Sequence, residues 1–216
     1  MEPNIQNLCK MSKGNELTYA QVMSCLSTSY AKPRDKLTQL LKKKVLIRIK
    51  QGLYVLGEFL RKDPLNKELL ANLIYGPSYV SLEWALSYYG IIPERVETVT
   101  SITFKRNKDF QTPVGNFSYS HTHPNRYPSG VCLIEIAPYQ SFLIATKEKA
   151  LCDFLVLRRG KVSSCKIMEE ILLEDLRIDE EDLQSLDIKE LEKINFSQPH
   201  SAIKYLVKVV EKLNYE

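Results

Sequence analysis

The sequence predicts an α+β protein in two parts: a winged helix-turn-helix domain over residues 1–62, then a mixed α+β domain over 63–216 that ends in helices. Three observations carry this expectation. Residues 18–57 run helix, turn, helix and then a tight two-stranded ribbon. The charge changes sign along the chain: residues 1–62 hold 12 Lys and Arg against 4 Asp and Glu, and residues 63–216 hold 18 against 22. The second part reads as helix, several strands and then helices, a segregated rather than an alternating pattern.

The elements follow in order. Thr18-Tyr19-Ala20-Gln21 fits a capping box, in which the Thr hydroxyl and the Gln amide satisfy orphan backbone N–H groups at a helix start. Val22, Met23 and Leu26 form its apolar face. Pro33 suits a first helical position, because its φ is already helical and its missing N–H costs nothing there. Leu37, Leu40 and Leu41 follow at i, i+3, i+4 spacing, a buried stripe. Past Lys44 the period changes to alternation: Val45, Ile47 and Ile49 against Leu46, Arg48 and Lys50. Gln51-Gly52 breaks the run and Leu53-Tyr54-Val55 resumes it, a hairpin signal because Gly supplies the positive φ such turns need.

Residues 57–64 read as a junction. Beyond it, 66–75 is a short helix ended by Gly76-Pro77, and Ser78 to Tyr89 is a helix rich in aromatics, stopped by Gly90 and Pro93. Strand-like runs come at Thr98–Lys105, Gly115–Tyr119 and Val131–Ala137. Thr146 caps a helix that runs to Arg158 and ends at Gly160. The tail is helical over about 164–175, 180–194 and 199–214, with Pro199 in a first turn.

A winged helix-turn-helix places one helix in a DNA major groove and its ribbon against the backbone. Residues 32–50 hold eight basic residues and one acid, a density suited to neutralising phosphates; the plain alternative is a solvated basic face. With the Leu stripe turned to the core, a step of about 100° per residue puts Asp35, Thr38, Gln39 and Lys42 outward, Lys36 and Lys43 on one flank and Arg34 on the other. Lys32 joins them as a first-turn residue. Gln39 suits adenine and Arg34 guanine. Lys42, Lys43, Arg48 and Lys50 suit phosphates, which fix position without reading sequence. Asp35 is awkward against DNA and is better read as favouring the positive helix N-terminus.

At 216 residues and 44% hydrophobic content, the chain can build one large or two small cores. It has no apolar leader and no stretch near the ~20 apolar residues of a membrane span. Cys9, Cys25, Cys132, Cys152 and Cys165 are odd in number and scattered, which speaks for a reducing cytosol rather than a disulfide scaffold. The expected location is therefore cytoplasmic, with no membrane contact.

An enzyme reading finds little to stand on. His121 and His123 would share one side of a strand, with Asp109, Cys132 or Glu135 conceivable as further metal ligands. Yet a Pro- and Gly-rich loop follows, and no third ligand sits at a telling distance. Phosphate-loop, nucleophile-elbow and dinucleotide motifs are missing. Cys152 beside Asp153 reads as a packed thiol, and Trp84, Tyr88 and Tyr89 as core rather than a base-stacking platform. No catalytic residue, metal or cofactor is expected.

Three segments resemble the AbiEi-type antitoxins of bacterial toxin–antitoxin systems, a family of transcriptional regulators. The first is the basic helix running into Val45-Leu46-Ile47-Arg48-Ile49-Lys50-Gln51-Gly52-Leu53-Tyr54, like the family's wing. The second is Tyr79-Val80-Ser81-Leu82-Glu83-Trp84-Ala85-Leu86 with Gly90-Ile91-Ile92-Pro93. The third is Ile144-Ala145-Thr146-Lys147-Glu148-Lys149-Ala150-Leu151-Cys152-Asp153. The resemblance implies a repressor that binds inverted repeats in its own promoter. It also implies a C-terminal domain that counteracts a nucleotidyltransferase-like toxin, without a stable complex. Glu148, Lys149 and Asp153 match the family pattern; a helix-start ion pair or cap is their expected role. The alternative function is a stand-alone winged-helix regulator whose second domain dimerises or senses a ligand.

Overall fold

The structure, a computed structural model, describes residues 3–215 apart from 13, 125, 126, 128, 139 and 198. Its first unit contains α1 (Pro3–Met11), β1 (Glu16–Thr18), α2 (Tyr19–Ser27), α3 (Pro33–Lys42), β2 (Leu46–Lys50) and β3 (Leu53–Leu56). The capping box forms: Gln21 N donates to Thr18 Oγ1 (3.3 Å) and Thr18 N donates to Gln21 Oε1 (2.8 Å). Pro33 opens α3. Lys44 then takes a left-handed turn (φ 53°) from α3 into β2. Its carbonyl lies 2.0 Å from where a Cβ on Gly57 would stand, so only glycine fits there.

The three strands form an antiparallel sheet in the order β1-β3-β2, with Leu17 opposite Tyr54 and Ile47 opposite Val55. One face closes on the helices: Leu46, Tyr54 and Leu56 join Leu8, Leu17, Val22, Leu26, Leu37 and Leu40 in one core. The other face carries Ile49, Leu53 and Val55 into the larger core built by the rest of the chain. All four residues of β3 are buried, as a strand covered on both faces must be. The chain crosses between units near Gly57–Pro64, but the packing boundary runs through this sheet. α1 and β1 have no counterpart in the expected elements.

The second unit opens with α4 (Lys67–Ile74), whose start is capped by Asn66 Oδ1 accepting from Leu69 N at 2.7 Å. The helix expected from Ser78 is a strand first: β4 (Ser78–Val80) precedes α5 (Leu82–Tyr88). Tertiary pairing overrides the helical pattern, because β4 lies in the middle of a six-stranded sheet with all three residues buried. Its companions are β5 (Thr98–Thr103), β6 (Lys108–Thr112), β7 (Gly115–His121), β8 (Val131–Ala137) and β9 (Gln140–Ala145), in the order β6-β7-β5-β4-β9-β8. The β5·β7 and β4·β9 pairs are parallel and the others antiparallel. The fold is thus mixed α+β.

Helices close the chain: α6 (Lys147–Phe154), α7 (Cys165–Glu169), α8 (Glu180–Gln184), α9 (Ile188–Ser197) and α10 (Ser201–Tyr215). α6 and α7 each run on into a wider π-type turn, over Leu155–Arg159 and Glu170–Asp175. The single helix expected over 180–194 is broken at 185–187. Asp187 Oδ1 accepts from Lys189 N at 2.9 Å, restarting the helix, while Lys147 Nζ donates to the Ser185 carbonyl at 2.6 Å. An Asp that captures the following backbone N–H favours a new helix start over continuation. Among the described residues no helix is long and apolar enough to cross a membrane.

Candidate nucleic-acid interface

α3 presents the surface expected of it. Leu37 and Leu40 are buried and Leu41 half-buried, whereas Lys32, Arg34, Asp35, Thr38, Gln39, Lys42 and Lys43 are exposed. Thr38 Oγ1 donates to the Arg34 carbonyl at 3.1 Å. Lys36 is half-buried, its ammonium 4.7 Å above the ring of Tyr30. Arg48 is exposed on β2, its guanidinium 6.0 Å from the Tyr54 ring. Beside it, a groove of about 760 Å³ runs along the end of α3 and the β2 edge, lined by Leu41, Lys44, Ile47, Arg48 and Phe59 and closed by Pro113.

Lys50 behaves differently from the rest of the expected set. A register shift between Arg48 and Lys50 turns the strand. Lys50 Nζ then donates to the Ile74 carbonyl at 2.5 Å, at the end of α4. Burial, with the nearby Lys105 and Lys108 ammoniums, lowers its pKa below the usual lysine range. Lys50 is engaged at the seam between the two units, unlike the exposed Lys42, Lys43 and Arg48.

That seam gathers cations missed in the sequence. Lys105 Nζ donates to the Gly76 carbonyl at 2.5 Å. It lies 5.3 Å over the Tyr75 ring, while Lys108 lies 5.7 Å from Tyr75 and 5.0 Å over Phe110. Carbonyls at a helix C-terminus are partly negative, which explains why two ammoniums gather at the end of α4. An adjoining groove of about 690 Å³ is lined by Tyr75, Phe104, Lys105, Arg106, Asn107 and His121. The signal was Lys105-Arg106 with Lys108, three cations in four residues, hidden by the overall acidic balance of residues 63–216.

The Ala145–Asp153 segment builds a buried polar node. Thr146 Oγ1 caps α6 by accepting from Lys149 N at 3.2 Å. Lys149 Nζ meets Asp153 Oδ1 at 2.9 Å, one turn along the helix, with side chains 0% and 4% exposed. Tyr79 OH and Ser81 Oγ both donate to Asp153 Oδ2 at 2.9 Å. The pair is therefore Lys149–Asp153, while Glu148 Oε1 accepts from Asp187 N at 3.1 Å. The node ties β4 to α6, and its acidity is spent on hydrogen bonds inside the fold. Burial and the Asp153 charge push the Tyr79 hydroxyl well above its usual range, and burial does the same to the Cys152 thiol.

His121 and His123 are exposed, and His121 Nδ1 lies 3.0 Å from the Lys105 carbonyl. Among the described residues no group of three His, Cys, Asp or Glu side chains is placed to hold a metal ion. Trp84 Nε1 donates to Glu68 at 3.0 Å and Tyr89 OH to the Ala145 carbonyl at 2.9 Å, so both rings are anchored in the fold. All five cysteines are free thiols. No protein-family model matches the chain, and no curated protein matches it in sequence.

Proposed function

We propose that this chain is a duplex-DNA-binding repressor whose first unit is a winged helix, and that its second unit counteracts a nucleotidyltransferase-like toxin. The observation that carries the DNA reading is the arrangement of the first unit. The order α1-β1-α2-α3-β2-β3 with a β1-β3-β2 sheet supports reading the unit as a winged helix, in which α3, the second helix of the helix-turn-helix, exposes the basic and amide side chains. In this reading α3 enters the major groove. Arg34 and Gln39 meet base edges, and Lys32, Lys42, Lys43 and Arg48 hold phosphates. Lys105, Arg106 and Lys108 extend the positive surface onto the second unit. The wing is short: Gly52 O accepts from Tyr19 N at 2.9 Å, which holds its tip against α2.

The antitoxin half rests on the likeness of residues 79–86, 90–93 and 145–153 to that family, and the partner it names is a toxin encoded beside this gene. Two measurements test the halves separately. Gel shifts with the chain's own upstream duplex should show binding, and Gln39→Ala should cost about 1–3 kcal/mol at a single base pair while relaxing preference there. Co-expression with the adjacent toxin gene from an unrelated promoter should rescue growth. Binding without rescue leaves the stand-alone regulator as the better account; no binding at low salt removes the DNA reading.

A further inference from the structure

Among the described residues four strands stand at sheet edges: β1 and β2 in the small sheet, β6 and β8 in the large one. A free edge offers unpaired backbone groups to another strand, and proteins blunt such edges with shortness or charge. β1 is three residues long. β2 carries Arg48 and Lys50, and β6 carries Lys108 and Asp109. β8 is the least defended of the four. It runs seven residues, Val-Cys-Leu-Ile-Glu-Ile-Ala, with one charge. Its Leu133 is 66% exposed and its Ile136 59%. A register shift between Glu135 and Ala137 bends only its far end, leaving 131–135 regular.

We propose that β8 is a dimer interface, pairing antiparallel with β8 of a second copy of this chain to make one continuous twelve-stranded sheet. The sequence of β8 selects that occupant. Centred on Leu133, a two-fold pairing sets Leu133 against Leu133 of the second copy, Cys132 against Ile134, and Val131 against Glu135. No like charges face each other across the ladder. The two Glu135 carboxylates stand four strand positions apart, about 14 Å at the strand rise, beyond the Debye length of about 8 Å. The same operation on β2, centred on Arg48, would oppose two guanidiniums. The pairing is isologous and closes on itself, so it stops at two copies.

Sedimentation of the full chain over a concentration series, without DNA, tests the pairing. The expected result is a reversible shift from 24.9 kDa to twice that mass. Leu133→Lys opposes two cations at the axis and should raise the dimer dissociation constant by about tenfold or more, while Gln111→Lys on β6 should leave it unchanged. Leu133→Cys tests the register: directly opposed residues in an antiparallel ladder lie at about 4.5–5.5 Å between Cα atoms, within disulfide reach. Oxidised glutathione should therefore crosslink Leu133→Cys as a dimer and leave Gln111→Cys monomeric on a non-reducing gel. A 24.9 kDa species at every concentration, or a dimer indifferent to Leu133→Lys, overturns the proposal. Neither outcome bears on DNA binding by α3.

Discussion

Cutting the chain after Lys62 should unfold its first unit, because β2 and β3 lend one face to the other core. Ile49, Leu53 and Val55 are 6%, 5% and 0% exposed in the full chain, and all three belong to the larger core. Burying such a side chain is worth about 1.5–3 kcal/mol, so the cut forfeits roughly 5–9 kcal/mol, an upper figure since unfolded chains already bury some of this surface. Whole domains are stable by only about 5–15 kcal/mol, and a unit of about 60 residues is marginal already. A 1–62 fragment should therefore show no cooperative melt and poor dispersion of its amide resonances. Nicking the full chain between the exposed Lys62 and Asp63 should leave the two pieces bound to each other through a gel-filtration column. Pieces that separate, or a 1–62 fragment that melts as cooperatively and as high as the intact chain, would refute the shared sheet.

Three further outcomes follow from single residues. Glu16 is partly buried, its Oε1 accepts no hydrogen bond from the described residues, and burial lifts its pKa from 4.5 to about 7. The folded state then holds the extra proton, so stability is full below pH 4.5 and falls as pH rises through 7. Glu16→Gln should flatten that limb and stabilise the chain at pH 8 by roughly 1 kcal/mol after allowance for solvent screening, as read by thermal melts at several pH values. Asp153→Asn deprives the buried Lys149 of its carboxylate and should cost about 3–5 kcal/mol in urea unfolding; a loss under 1 kcal/mol would mean the node is not what joins β4 to α6. For Lys50 the depressed pKa means the unfolded state holds the proton more tightly, so stability climbs with pH on the approach to 10.5. Lys50→Met should remove that climb in alkaline melts, and a wild-type chain without it would contradict the seam geometry.

Local rules were the legible part of this sequence. Thr18 with Gln21, Pro33, Gln51-Gly52 and Thr146 each act through atoms a few residues away, and each stands in the cap, helix start or turn its neighbours imply. The outward face of α3 was legible too, since three leucines at helical spacing fix the rotation. What stayed hidden depends on partners distant in the chain. β4 reads as the start of a helix until β5 and β9 flank it. β6, Lys-Asp-Phe-Gln-Thr, has the composition of a surface loop and becomes a strand only by pairing with β7. Lys50 looked like its neighbour Arg48 because nothing local announces the Ile74 carbonyl or the bulge that turns the side chain toward it. Likewise, Asp153 gained a role only when Tyr79 and Ser81 arrived from more than 70 residues away.

The most direct test of the proposed DNA reading is the salt dependence of binding to the chain's own upstream duplex, measured by fluorescence anisotropy. Affinity should fall linearly on a log–log plot, and Lys42→Ala, Lys43→Ala and Arg48→Ala should each flatten the slope by about one unit, one phosphate contact apiece. Lys50→Ala should leave the slope where it was, because its ammonium is occupied at the seam. No binding at low salt, or a slope indifferent to the three exposed cations, would contradict α3 and β2 as the DNA-contacting surface.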